Sequence, residues 1–101
     1  KKLYLGPFYG EPTEHTSISF GNGICGQAAE SQKTFVIDDV TKEINYIACS
    51  VHVKSEIVVP IIKNQIVVGQ IDIDSYKMSA FKTDDQQLLE QICREIAVYI
   101  E

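Results

Sequence analysis

The chain has 101 residues, 45% apolar and 23% charged, which suits one small globular domain and excludes disordered and collagen-like chains. Fourteen acidic against nine basic residues give a formal charge of -5, so the basic surface that nucleic-acid binding draws on is missing. No apolar run approaches the roughly 18 residues of a membrane span, and no basic-then-apolar leader opens the sequence. The three cysteines are an odd number, which argues for reduced thiols in the cytoplasm rather than a disulfide-stapled secreted domain.

Lys1 to Phe8 reads as a strand, with Leu3 and Leu5 alternating against Tyr4 until Gly6-Pro7 ends or bulges it. Gly10 to Glu14 is turn-rich, and His15 to Phe20 alternates weakly as a short strand. Gly21-Asn22-Gly23 forms a tight turn into a two-turn helix over Ile24 to Glu30. Lys33 to Ile37 is a short strand, and Val40 to Ser50 an irregular loop with room for one helical turn. Glu56 to Ile62 and Gln65 to Asp74, both rich in Val and Ile, form a β-hairpin with Lys63-Asn64 at the bend. In the last helix Thr83 and Gln86 form a capping box, and Asp84 and Asp85 suit the positive end of the dipole. Leu88, Leu89, Ile92, Cys93, Ile96, Tyr99 and Ile100 recur along one face of that helix. Antiparallel strands with one long amphipathic helix define an α+β domain, a sheet packed on helices.

The hairpin also predicts a site. Side chains alternate between faces of a sheet, so odd positions Ile57, Val59, Ile61, Val67, Ile71 and Ile73 face the helices, and Glu56, Gln70, Asp72 and Asp74 face the other side. Two registers keep both odd sets together: one sets Glu56 opposite Asp72, the other sets it opposite Asp74. Either brings three carboxyl groups within cross-strand reach. Crowding and enclosure would raise their pKa values and let one hold a proton near neutrality. The alternatives are a solvated acidic face and a hard-cation site for magnesium or calcium, although the spacing matches no calcium loop.

Cys93 lies on the apolar stripe of the last helix and reads as a small core hydrophobe. Cys25 opens a helix, where unpaired N–H groups favour a thiolate; equally, a small residue is wanted there beside Gly26. Cys49 closes the irregular loop seven residues before Glu56, with His52 and Lys54 as nearby cations. Cys25 and Cys49 are too far apart for a redox CxxC pair, and no Cys or His pair has zinc spacing, so no metal is expected. His15 and His52 stand alone and read as surface or hydrogen-bonded histidines rather than catalytic bases.

Four segments, in order across nearly the whole chain, carry a resemblance: Leu5-Gly6-Pro7-Phe8, Gly21-Asn22-Gly23-Ile24-Cys25-Gly26, Ile47-Ala48-Cys49, and Ser55-Glu56-Ile57-Val58-Val59-Pro60 continuing to Asp72-Ile73-Asp74-Ser75. Together they resemble the free methionine-R-sulfoxide reductases, a family of GAF-domain enzymes. The resemblance implies a GAF fold, an antiparallel sheet with helices on one face and a ligand pocket on the other. It implies Cys49 as nucleophile, Cys25 as a second active-site cysteine able to act as resolving partner, and Glu56, Asp72 and Asp74 as the acids that engage the sulfoxide oxygen and the substrate amine. It further implies a small-molecule substrate, free methionine-R-sulfoxide, with no bound cofactor, and a cytoplasmic homodimer recycled by thioredoxin. The chemistry fits the residues. Sulfoxide oxygen leaves poorly unless protonated, so thiolate attack on sulfur needs a nearby acid, which crowded carboxyls supply. The sulfenic acid so formed condenses with a second thiol, and an external thiol reopens the disulfide.

The sequence departs from the family pattern in three ways. His15 stands where the first of three active-site cysteines falls, and Ser50 stands where an acid usually follows the nucleophile. The chain opens at the family's second strand, so a single GAF domain over 1–101 is expected without the first helix and first strand. The alternative function is a non-catalytic GAF module that binds a small molecule and reports it to a partner domain, since signalling GAF domains do not need the cysteine pair.

Overall fold

The Val- and Ile-rich hairpin is the spine of the molecule. The computed structural model describes residues 1–10, 16–43 and 52–100, and in chain order these form β1 (Lys2–Tyr4), β2 (Ser17–Ser19), α1 (Gly23–Ser31), β3 (Phe35–Ile37), β4 (Ser55–Lys63), β5 (Ile66–Ser75) and α2 (Thr83–Tyr99). A 3₁₀ turn at Val40–Lys42 is the described part of the irregular loop. Two antiparallel sheets result, β1-β2 and β3-β4-β5, in agreement with the expected α+β class. The first three strands have three residues each, and the β1–β2 pairing runs on past their ends, with the Leu5 N–H donating to the Thr16 carbonyl at 2.8 Å and the Phe20 N–H to the Lys1 carbonyl at 3.0 Å.

Of the two candidate registers, the hairpin adopts the one that pairs Glu56 with Asp74, and it keeps this register from Ser55↔Ser75 to Ile61↔Gly69. Between Ile61 and Ile62 the register slips to Ile62↔Val67 and Lys63↔Ile66. That irregularity has a local cause. The turn residues Asn64 and Gln65 both take positive φ, 53° and 67°, the conformation of a two-residue type I′ turn, which matches strand twist. A two-residue turn requires an odd pairing sum and the apolar faces require an even one, so one bulge absorbs the difference.

β4 is covered on both faces. On the odd face Ile57, Val59 and Ile61 pack with Cys93 and Ala97 of α2, joined by Val36, Ile71, Phe81, Leu89, Ile96 and Ile100. On the even face Val58 packs with Ile24 and Ala28 of α1 and with Ile37, Val40 and Val53. The long helix thus lies on one side of the sheet, while α1 shares the other side with the acidic positions.

Two details of α2 differ from the expected pattern. Its N-cap is Lys82, one residue before Thr83, because the Asp85 carboxylate accepts the Lys82 N–H at 2.8 Å. Asp85 therefore takes the place predicted for Gln86. Of the seven-residue stripe, Leu88, Ile92 and Tyr99 are exposed. A helix lying on a flat sheet buries only a narrow arc, and Leu89, Cys93, Ile96, Ala97 and Ile100 fill it.

Candidate active site

The β4–β5 pairing builds the acidic cluster. Glu56 and Asp74 are direct partners, and Asp72, opposite Val58, is diagonal to Glu56 on the same face. Glu56 is only 4% exposed and hydrogen-bonds to Asp72 and Asp74. Its carboxyl is pushed up to about 12, first by burial and then by the hydrogen bonds and negative charges of the two aspartates. Asp74 is pushed up to about 6 by burial and by the charge of Asp72, opposed by its bond to Glu56. Its Oδ1 is buried with no hydrogen-bond partner among the described residues, an acceptor of the kind that a bound group can satisfy. Asp72 is exposed. The solvated-face reading therefore holds for Asp72 and fails for Glu56, which keeps its proton at neutral pH.

Cys25 joins the cluster from α1. Its Sγ donates to Asp72 Oδ2 at 3.0 Å, and Gln70 Nε2 donates to its carbonyl at 3.2 Å. The approach depends on the glycine-rich turn before the helix. Gly21 and Gly23 take φ of +90° and +63°, and a Cβ on Gly26 would lie 2.5 Å from the Ser19 carbonyl oxygen. Only glycine lets the helix start this close to β2. Gln70 was not singled out as a site residue by the sequence, although its parity, two residues before Asp72, was the available signal.

The Cys25 sulfur and one oxygen each of Glu56 and Asp72 lie within 4.8 Å of one another, so these three are the described residues that could hold a metal. The S–H···O bond and the proton on Glu56 account for the close approach without an ion.

Cys49, the predicted nucleophile, lies outside the described residues, as do His15 and Ser50. His52 stacks edge-to-face on Tyr76, with centroids 5.8 Å apart. Cys93 is buried, its Sγ 3.7 Å from the Val59 carbonyl oxygen, and burial pushes its thiol up, as suits a core residue. A cavity of about 520 Å³ on the α2 side, lined by Lys33, Val59, Glu90, Cys93 and Arg94 among others, contains none of the acidic cluster. Among the described residues no helix is long and apolar enough to cross a membrane.

The sheet, with an acidic cluster on one face and a helix-borne thiol bonded to it, is the frame in which the chain is compared with known proteins. The sequence pattern of the GAF domain matches residues 4–101, and the chain belongs to the GAF-domain family. Within that family it is similar to the free methionine-R-sulfoxide reductase of Saccharomyces cerevisiae, 43% identical over 95 residues covering 93% of this chain and 52% of the yeast protein. It superposes with a TM-score of 0.92 on the type II free methionine-R-sulfoxide reductase of Thermoplasma acidophilum, 38% identical, covering 96% of this chain and 69% of that one. The same score relates it to the Neisseria meningitidis free methionine-R-sulfoxide reductase in complex with its substrate, 36% identical, covering 96% and 57%. The chain spans about half the length of the curated relatives it matches.

Proposed function

We propose that this chain reduces free methionine-R-sulfoxide to methionine by thiol chemistry, with Cys49 as nucleophile and Cys25 as resolving thiol. The observation that carries the reading is Glu56, a carboxylic acid that is almost fully buried, retains its proton at neutral pH, and stands in a cluster whose outer member bonds a thiol. Such a group is suited to protonate the sulfoxide oxygen as the Cys49 thiolate attacks sulfur. Oxygen passes to the cysteine as sulfenic acid, the sulfoxide gains two electrons, and methionine leaves. Condensation with the Cys25 thiol then forms an S–S bond and releases water, and a dithiol reductant of the thioredoxin type restores both thiols. Asp74, whose buried Oδ1 has no partner among the described residues, and Asp72 take the ammonium group of the free amino acid. A dimer in the cytoplasm is the setting proposed for this cycle.

The test is turnover of free methionine-R-sulfoxide by the protein with a thioredoxin system, repeated with Cys49→Ser. Activity in the parent that Cys49→Ser abolishes, with a Cys25–Cys49 disulfide on peptide mapping after one equivalent of substrate, is the expected result. Tight binding without turnover would instead identify a non-catalytic binding module, and sulfenic acid persisting at Cys49 would assign resolution to an external thiol.

A further inference from the structure

Gln70 and Asp72 are alternate residues of β5, so both project from the same face toward α1. Between them they grip Cys25 at both ends: Gln70 Nε2 holds its backbone carbonyl at 3.2 Å, and Asp72 Oδ2 accepts its S–H at 3.0 Å. Cys25 lies in the first turn of α1, where the N-cap Asn22 makes no side-chain capping bond. The turn that leads into it is set by glycines with positive φ. The position of the Cys25 sulfur follows from that of the backbone that carries it.

We infer that Gln70 is a positioning residue for Cys25: by fixing the carbonyl it keeps the sulfur on Asp72, at the mouth of the acidic cluster. The inference rests on the reading of Cys25 as the resolving thiol and gives that role its geometry. When the Cys25 sulfur attacks a cysteine sulfenic acid, its S–H bond breaks, an S–S bond forms, and the S–O bond breaks. The departing hydroxide and the thiol proton leave as water. Asp72 is the acceptor already in contact with that proton, and Gln70 determines that the contact exists.

The experiment reads Cys25 alkylation by iodoacetamide, by peptide mass spectrometry at fixed pH, in the full chain carrying Cys49→Ser. Asp72→Asn is expected to change the rate about fivefold, the worth of one hydrogen bond. With Gln70→Met, of similar shape but without a donor, the Asp72→Asn effect is expected to fall below about twofold. A tether that only stabilises the fold would leave the fivefold effect of Asp72→Asn intact, and that result would overturn the assignment. Gln70→Asn, whose amide is one methylene short, gives the same comparison should Gln70→Met not fold. Alkylation needs no sulfoxide, so absence of turnover in the parent chain would defeat the reductase reading, while loss of coupling in the Gln70 variants would still support the assignment.

Discussion

Glu56 is a carboxylic acid at the centre of a sheet with aspartates beside it, and its protonation links stability to pH. Its folded pKa lies above its unfolded value of 4.5, so the native state binds the extra proton. The stabilisation is fully present below about pH 4 and is lost as pH rises through 4.5 and beyond. At about 1.4 kcal/mol per pH unit, the loss reaches about 3 kcal/mol by pH 7. Glu56→Gln keeps a neutral hydrogen-bonding group in place, so it should flatten this dependence. Urea unfolding of both proteins at pH 5 and pH 8 checks it, and parallel pH slopes would contradict the assignment. Asp74 titrates near 6 and is the proposed partner of the substrate amine. KM for the sulfoxide should therefore rise as pH falls below about 6, while Asp74→Asn should show a high KM without that inflection.

At the scale of elements, the hairpin was the most legible part of the chain. Strict alternation in Glu56 to Asp74 fixed which residues share a face, and thereby assembled Glu56, Asp72 and Asp74 from sequence alone. The choice of register was not legible, because it turned on whether Asn64 and Gln65 would both accept positive φ and on a bulge that compensates for it. The place of Cys25 was hidden for another reason. Its bond to Asp72 joins residues 47 apart in sequence, and no local pattern says that α1 crosses the acidic face. Periodicity in α2 marks a possible apolar face, and the neighbouring sheet decides how much of it is buried. The turn before α1 also makes a prediction. Gly26→Ala would push a methyl group against the Ser19 carbonyl, and the resulting overpacking should cost about 1–3 kcal/mol in urea unfolding. It should also accelerate alkylation of Cys25, as the helix start backs away from β5.

Across the whole molecule, β4 serves as a central partition with α2 on one side and α1 on the other. Ser55 and Glu56 are the buried polar residues among those described. Ser55 is satisfied by the chain itself, its hydroxyl bonding the Lys77 carbonyl at 2.5 Å and accepting the Ala80 N–H at 3.3 Å. Among the described residues, Glu56 is satisfied by other acids, Asp72 and Asp74. A formal count of −5 treats every carboxyl as ionised; with Glu56 neutral, the native protein at pH 7 carries close to −4. Unfolding returns that carboxyl to water, where it ionises, so melting at neutral pH should expel about one hydrogen ion into the medium. Calorimetric melts in phosphate and in Tris, buffers with different heats of ionisation, would register the expulsion as a difference in apparent enthalpy, and Glu56→Gln should erase it.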